Sequence, residues 1–320
     1  MKFNPRARLS TSQVRRHASA RRGGTSGLGG GLGGGFGRPG GMRGGGMGGL
    51  AVPGGIGGLL VVGAIFLALQ FAGGGGGGAG AFDHSQVADT DLSRCQTGAD
   101  AAEFQDCRIV ATVNSVQAYW EEALPEQADV DYSLSTTNLF TGSVDTGCGS
   151  ATSQVGPFYC PSDDSVYLDT TFFDEMLEDE LGAQGGDFAE SYVIAHEYGH
   201  HIQDLLGTMG RVRSEQGAIS DAVRLELQAD CFAGMWDKFA TTIEDENGEV
   251  YILELTEADI SEAIDAAESV GDDRIQEQAQ GRSDPETWTH GSAADRKQWF
   301  LTGMDVGTLA SCDTFSASEL

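Results

Sequence analysis

Residues 189–206 read AESYVIAHEYGHHIQDLL and predict an amphipathic helix that carries a metal ion. An α-helix advances about 100° per residue, so His196 and His200 lie about 40° apart on one face, with Glu197 beside them. Two imidazoles at this spacing can hold one Zn²⁺, and a neighbouring carboxylate can act as a general base toward a water activated by the metal. The pattern predicts a hydrolytic zinc site. The alternative is a chance match among surface residues of a helix.

A second helical pattern supplies the missing ligand. Residues 220–243 read SDAVRLELQADCFAGMWDKFATTI, with Ser220 as the expected N-cap. Glu226 and Asp230 are four residues apart on one face, in apolar surroundings where an unpaired carboxylate is costly to bury. We expect Glu226 to be the third zinc ligand and Asp230 to accept the N–H of a ligating histidine. A solvated acidic stripe is the alternative, since the chain is acidic.

The motifs HEYGHH at 196–201 and LELQADCFAG at 225–234 together resemble the YpfJ-type neutral zinc metallopeptidases, membrane-anchored bacterial proteins grouped with the zincins. The resemblance runs from about residue 91 to the C-terminus and includes CRIVATVNSVQAYW at 107–120. It implies an α+β, mainly helical zincin-like domain with a small sheet, one Zn²⁺ per chain and a peptide or protein substrate. In the wider gluzincin pattern, the third ligand and the carboxylate that supports a histidine correspond here to Glu226 and Asp230.

Three further polar residues have roles that the sequence leaves open. His201 points about 140° away from His196 and is expected to be a polar residue or to support a ligand. His290 lies in the loop at 288–292. The corresponding loop in similar proteins makes it a candidate for stabilising the oxyanion of the reaction, and a polar surface residue is the alternative. Arg296 could pair with an acid or touch the substrate.

Charge is divided sharply along the chain. Residues 1–82 contain nine Lys or Arg and no acid, whereas the rest holds 48 acids against ten bases, a net charge of −38. Such an acidic body argues against nucleic acid as a partner, because contact with phosphates relies on Lys and Arg. It is typical of a solvent-exposed or salt-tolerant domain. The Gly- and Arg-rich residues 1–49 predict a disordered cytoplasmic tail.

Residues 50–72 read LAVPGGIGGLLVVGAIFLALQFA and carry no charge, and as a helix they are long enough for a bilayer core of about 30 Å. Basic residues precede this segment and acidic residues follow it. The positive-inside rule then predicts a single-pass protein of the cytoplasmic membrane, with the N-terminus inside and the domain outside. A signal peptide cleaved near 79–81 is the alternative. Residues 73–90 are expected to be a flexible linker, and residues 91–320 the zinc metallopeptidase domain.

All six cysteines follow residue 94, and an even number fits disulfides formed in an oxidising compartment. Six cysteines allow 15 pairings, and the sequence alone selects none of them. Local spacing favours Cys95 with Cys107 and Cys148 with Cys160, which leaves Cys231 to pair with Cys312. The competing role for Cys231 is that of a metal ligand or a nucleophile, but it faces about 140° away from Glu226 on the helix, which favours a structural role.

Coarse hydrophobic patterns place the other elements. A long helix is expected at 103–124, ended by Pro125, and strands are expected at 129–139 and 165–169. By analogy with zincins, residues 166–168 are expected to offer a free strand edge to an extended substrate. Further helices are expected at 171–181, 256–270 and 292–304.

The sequence leaves two other functions open: a membrane-tethered binding or scaffold protein with a structural zinc, and a zinc amidase that acts on a cell-wall amide. A structural zinc normally has four protein ligands, whereas the motifs supply three. Both enzyme hypotheses require that Glu197→Gln keeps the metal and loses activity. Oligomeric state leaves no signal in the sequence.

Overall fold

The computed structural model describes residues 1–17 and 92–320. These residues form an α+β fold that is mainly helical with a small mixed sheet, as expected from the resemblance. The helices are α1 (Gly98–Glu103), α2 (Gln105–Ala128), α3 (Asp187–Leu205), α4 (Asp221–Phe239), α5 (Glu257–Ser269), α6 (Asp272–Gln280) and α7 (Ala293–Val306). The strands are β1 (Lys2–Phe3), β2 (Val14–Arg16), β3 (Thr136–Phe140), β4 (Ser143–Thr146), β5 (Gly149–Thr152), β6 (Phe158–Cys160), β7 (Ser165–Asp169) and β8 (Ile252–Glu254).

Four strands form the main sheet in the order β2-β3-β7-β6. The first three are parallel, and β6 runs antiparallel to β7 at the outer edge. Strand β7 is buried along its whole length, because it has a partner on either side. The sheet packs on α3 through Tyr198, whose hydroxyl lies 2.8 Å from the Thr137 hydroxyl of β3.

The N-cap expected at Ser220 is present, and two further helices begin with caps of the same kind. Ser220 accepts the backbone N–H of Val223 at the start of α4, and Ser292 accepts that of Asp295 at the start of α7. Thr256 begins α5 with a reciprocal capping box that involves Asp259. Each cap satisfies an N–H that the first helical turn leaves without a partner.

Three boundaries differ from expectation. Helix α2 does not end at Pro125 but continues to Ala128, since the carbonyl that loses its intrahelical donor belongs to Glu121, which is exposed to water. The strand expected at 129–139 is β3, which begins only at Thr136, and Asp129 adopts a left-handed φ of 55°. Residues 172–180 form a π-type helix where a short acidic helix was expected.

The expectation of a disordered tail over residues 1–49 is wrong for residues 1–17. This segment supplies β1, which pairs with β8, and β2, which joins the main sheet beside β3. The composition of residues 1–17 does not predict these strands, because their pairing partners, β8 and β3, lie more than a hundred residues away in sequence. The remaining tail at 18–49, the proposed anchor at 50–72 and the linker at 73–90 lie outside the described residues.

The structure contains three disulfides, Cys95–Cys107, Cys148–Cys160 and Cys231–Cys312, which is the pairing that local spacing favours. The third bridge ties α4 to the C-terminal segment across 81 residues, and such long closures constrain the unfolded chain most. Over residues 1–17 and 92–320, no helix is both long enough and apolar enough to cross a bilayer.

Candidate metal centre

Helices α3 and α4 approach each other closely where the HEYGHH motif meets LELQADCFAG. At Gly199 a Cβ would lie 3.0 Å from both the Cα and the carbonyl oxygen of Ala229, so any side chain at this position would force the helices apart. The small residue inside the motif is thus required by packing. The resulting contact brings the face of α3 that carries His196 and His200 against the face of α4 that carries Glu226 and Asp230.

The structure brings His196, His200 and Glu226 together. The Nε2 atom of His196 lies 3.2 Å from Glu226 Oε2, and that of His200 lies 3.6 Å from Glu226 Oε1. One ligand atom from each of the three residues lies within 4.8 Å of the other two, and all three residues are buried. This is the spacing at which two imidazoles and one carboxylate share a single ion.

Asp230 receives several hydrogen bonds beneath the first histidine. His196 Nδ1 donates to Asp230 Oδ1 at 2.7 Å, which leaves Nε2 free for a metal. Tyr192, one turn before His196, donates its hydroxyl to the same oxygen at 2.5 Å. Arg296 binds both oxygens, through Nε and Nη2, each at 2.8 Å. Of the two roles open for Arg296, pairing with an acid is the one found.

The ion pair between Arg296 and Asp230 depends on close packing of α4 against α7. A Cβ at Gly234 would lie 2.0 Å from the carbonyl oxygen of Phe300, and one at Gly303 would lie 1.9 Å from that of Cys231. Two glycines on facing helices therefore let the backbones approach until the guanidinium reaches a fully buried carboxylate. Arg296 itself is 3% exposed.

The second histidine is held by an amide. His200 Nδ1 donates to Gln203 Oε1 at 2.9 Å, three residues along α3. Gln203 in turn donates to the carbonyl oxygen of Leu225 at 2.7 Å and to Gln228 Oε1 at 3.2 Å, both on α4. This chain of hydrogen bonds fixes the tautomer and the ring orientation of His200 from the neighbouring helix.

The charges of the buried cluster suit a divalent cation. Although burial opposes ionisation, His200 and His196 hold the pKa of Glu226 well below its usual range, and Arg296 and His196 lower that of Asp230 to about 2. Burial disfavours the charged imidazole of His196, yet Asp230 and Glu226 outweigh it and raise its pKa to about 9. With Glu197 ionised and both His196 and His200 neutral, the carboxylates of Glu197, Glu226 and Asp230 face the Arg296 guanidinium, and Asp272 offsets a charged His290. A divalent cation would therefore bring the cluster to neutrality.

Glu197 and His290 face the same cavity as the three candidate ligands. Burial raises the pKa of the Glu197 carboxyl, which makes it a better proton acceptor than an exposed glutamate. His290 is held by Asp272, which lies 3.6 Å from its Nδ1 and accepts the backbone N–H groups of residues 289–291. Burial disfavours the charged ring, but the nearby carboxylates of Asp272 and Glu226 raise the pKa of His290.

The walls of the cavity are apolar and come from the sheet edge and neighbouring helices. They are formed by residues 155–158, Phe172, Val193 and Val270. Residues 166–168 were expected to provide the free strand edge, and this is wrong because β7 is paired on both sides. The strand that borders the cavity is β6, the outermost strand of the main sheet.

His201 is turned away from the metal-binding face and neither binds nor supports a ligand. Its Nε2 donates to the carbonyl oxygen of Ser133 at 2.7 Å, and its Nδ1 lies 3.1 Å from the Tyr159 hydroxyl. A second cluster with metal-ligand spacing, Cys95, Asp106 and Cys107, is accounted for by the disulfide between its cysteines.

Sequence reasoning missed Tyr192, Gln203 and Asp272. Helical spacing could have identified the first two, because Tyr192 stands four residues before His196 and Gln203 three residues after His200. No comparable signal marks Asp272, since it meets His290 through a loop contact between residues 18 positions apart.

Comparisons with known proteins bear on this geometry. The family described as "Putative neutral zinc metallopeptidase" matches residues 15–315. An uncharacterized protein of Mycobacterium tuberculosis strain H37Rv is 54% identical over 232 residues, which cover 72% of this chain and 77% of the relative. The Escherichia coli K12 protein YpfJ, also printed as uncharacterized, is 42% identical over 225 residues, 68% of this chain and 73% of the relative. No solved structure matches the chain.

Proposed function

The chain belongs to the "Putative neutral zinc metallopeptidase" family, and on that premise we propose that it hydrolyses peptide bonds with His196, His200 and Glu226 as zinc ligands. The observation that carries the proposal is the convergence of exactly these three donors with Glu197 in one cavity. Three protein ligands leave a coordination position open, as catalytic zinc sites do and structural sites do not. This distinction favours an enzyme over a scaffold.

The residues of the cavity divide the chemistry among them. His196, His200 and Glu226 would hold a zinc ion, which would supply Lewis acidity and would lower the pKa of water bound to it to about 7. Glu197, buried and with a raised pKa, takes up the proton released when water attacks the carbonyl and passes it to the leaving amine. His290, whose raised pKa favours the charged ring, donates a hydrogen bond to the oxygen that becomes negative.

The cleft walls suggest how the peptide lies. An extended substrate can lie along β6, the outermost strand of the sheet, beside residues 155–158. The substrate side chain next to the scissile bond then meets Phe172 and Val270. The guanidinium that lines the cavity, that of Arg296, is already paired with Asp230. We therefore expect an apolar residue to be preferred over an acidic one at this position.

The compartment is part of the same proposal. Three disulfides within one domain suit an oxidising environment, so the metallopeptidase domain is expected to act outside the cytoplasm.

The experiment compares wild type with Glu197→Gln for zinc content and for cleavage of an unfolded protein. About one zinc in both, with cleavage by the wild type alone, is the expected result. Glu190→Gln is the matched control, since Glu190 is also a buried glutamate of α3 but is bound to Gln105 and Arg108 outside the cavity. Equal cleavage by the Glu197→Gln protein would refute the role of the general base, and zinc without cleavage by wild type would favour a non-peptide amide.

A further inference from the structure

We propose that residues 1–17, here termed the N-terminal arm, are a docked part of the metallopeptidase domain, so that the arm and the domain lie on the same side of any membrane that the intervening chain enters. The proposal concerns the architecture of the chain and is independent of the catalytic assignment. It revises the expectation that the two lie on opposite sides of a single membrane span.

Backbone pairing holds the arm along its whole length. Strand β1 pairs with β8, and β2 pairs with β3 in parallel register, Val14 opposite Thr137 and Arg16 opposite Leu139. Between the strands, Leu9 N–H donates to the carbonyl oxygen of Gln96 at 3.0 Å. Docking thus supplies the sheet with its fourth strand and covers the edge of β3 that would otherwise be open.

Apolar side chains of the arm are buried by the domain, and a buried amide of the domain is hydrogen-bonded to the backbone of the arm. Phe3, Ala7 and Val14 are 5%, 0% and 4% exposed, respectively, and belong to the main hydrophobic core. Asn114, a buried residue of α2, accepts the N–H of Ser10 at 2.8 Å and donates to its carbonyl oxygen at 2.9 Å. Losing the arm would leave this amide and part of the core exposed to solvent.

Charge complementarity explains why a basic segment docks on this acidic domain. Arg16 pairs with the buried Asp106 at 2.9 Å, and Arg6 pairs with Glu249 at 3.0 Å. The backbone N–H of Arg8 donates to the Asp245 carboxylate (Oδ2) at 2.6 Å. The Met1 amine binds Asp259. The uneven charge distribution noted in the sequence therefore has a structural use within the chain, since the arm neutralises acids that line its own binding surface.

Gly98, at the start of α1, forms a cradle for the arm. Its N–H donates to the carbonyl oxygen of Ala7 at 2.9 Å, and a Cβ built on it would lie only 2.0 Å from the carbonyl oxygen of Asn4. Because the obstructing atom is backbone of the arm, an added methyl group must displace the arm. A single substitution at Gly98 can therefore test whether the arm is docked on the domain.

The topological consequence follows from these contacts. If residues 50–72 crossed a membrane once, residues 1–17 and 92–320 would face different compartments and no contact described above could form. The disulfides of the domain favour the oxidising side for both. The connecting residues 18–91 must then begin and end on that side.

The first test labels single introduced cysteines in intact cells with a membrane-impermeant maleimide. Ser12→Cys reports the arm and Gln280→Cys the domain, and both positions are exposed when the arm is docked. Equal labelling of the two before lysis is expected. Labelling of Gln280→Cys in intact cells, with Ser12→Cys reacting only after lysis, would overturn the proposal, and so would the reverse pattern. Labelling of both only after lysis would support their location on one side and would contradict only the inference that this is the oxidising side.

The second test follows trypsin cleavage of the arm in the purified full-length chain. In Gly98→Ala, cleavage after Arg8 and Arg16 is expected to be roughly tenfold faster or more than in wild type, since local unfolding controls access of the protease. Gly210→Ala is the control, because a Cβ at Gly210 meets nothing within 4 Å. Equal rates in Gly98→Ala, Gly210→Ala and wild type would show that the arm is not held by this surface.

Discussion

His200 and His201 are neighbours on α3 and are almost equally buried, at 2% and 0% exposure, yet they have opposite surroundings. His200 faces Glu226 and is held by an amide on one nitrogen, so its other nitrogen is directed at a carboxylate. His201 faces the sheet, where a carbonyl oxygen and a hydroxyl occupy both nitrogens. Residue type and burial do not distinguish a ligand from a structural histidine; the partners of the second nitrogen do.

The histidines on the two faces of α3 also differ in the direction in which their pKa values are shifted. Burial lowers the pKa of His201, which favours the neutral ring and leaves it as a packing and hydrogen-bonding residue. On the other face, Asp230 and Glu226 overcome burial and raise the pKa of His196 to about 9. A site that attracts a proton so strongly in the absence of metal also attracts a metal cation, and the two compete.

The largest expected effect separates the two histidines directly. His200→Ala removes one of three ligands, and we expect the purified protein to lose stoichiometric zinc. His201→Ala should retain about one zinc but lose roughly 1–3 kcal/mol of unfolding free energy, because it deletes a fully buried ring that packs against Tyr132 and Tyr159. Metal analysis and denaturant unfolding measure both quantities. Loss of zinc from His201→Ala under conditions where it stays folded would contradict the division.

A smaller effect is expected at the residues that hold each ring. Gln203→Ala removes the acceptor of His200 Nδ1, and loss of such support typically lowers metal affinity by about 10–100-fold. Tyr159→Phe removes the hydroxyl beside His201 and should leave zinc affinity unchanged. Competition with a coloured chelator measures both. Equal affinity in the Gln203→Ala and wild-type proteins would mean that packing alone orients His200.

Asp230 and Asp237 are two buried carboxylates of α4 that differ in their hydrogen-bond partners. Asp230 accepts hydrogen bonds from three side chains, whereas both oxygens of Asp237 lack a partner among the described residues. Burial, with the charge of Asp259, raises the pKa of Asp237 from 3.8 to about 7. The folded state then holds a proton that the unfolded state has lost between these two pH values, so this group makes stability fall as pH rises through that window.

Asp237→Asn removes this penalty without a change in shape. Above pH 7 the variant is expected to exceed wild type by roughly 2–4 kcal/mol in unfolding free energy, and near pH 4 the two should converge. Zinc content should not change, because the residue lies outside the metal-binding cavity. Urea unfolding at pH 4, 6 and 8 provides the test. A difference that does not depend on pH would show that Asp237 is ionised in the folded state throughout.

Local patterns in the sequence were sufficient for much of the site. The positions of His196, Glu197 and His200 on one helical face follow from 3.6-residue periodicity, and the caps at Ser220, Thr256 and Ser292 follow from side-chain chemistry. These features depend on residues within a few positions of one another, so the sequence contains what is needed to predict them.

Features that depend on distant partners could not be predicted in this way. Strand β2 reads as part of a basic, glycine-rich tail and is ordered only because β3 and Asp106 receive it. The choice of β6 over β7 as the edge of the cleft depends on strand order, which alternation of apolar residues does not encode. Likewise, Arg296 could be assigned to Asp230 only once Gly234 and Gly303 were known to bring α4 and α7 together.

X-ray absorption at the zinc edge, recorded for wild type and His200→Ala, tests the central claim most directly. We expect a shell of nitrogen and oxygen ligands at about 2.0–2.2 Å in wild type, with the multiple-scattering signature of two imidazoles and no sulfur. His200→Ala loaded with zinc should show one imidazole fewer. A sulfur shell near 2.3 Å, or a spectrum that His200→Ala leaves unchanged, would contradict the assignment of His196, His200 and Glu226 as the metal centre.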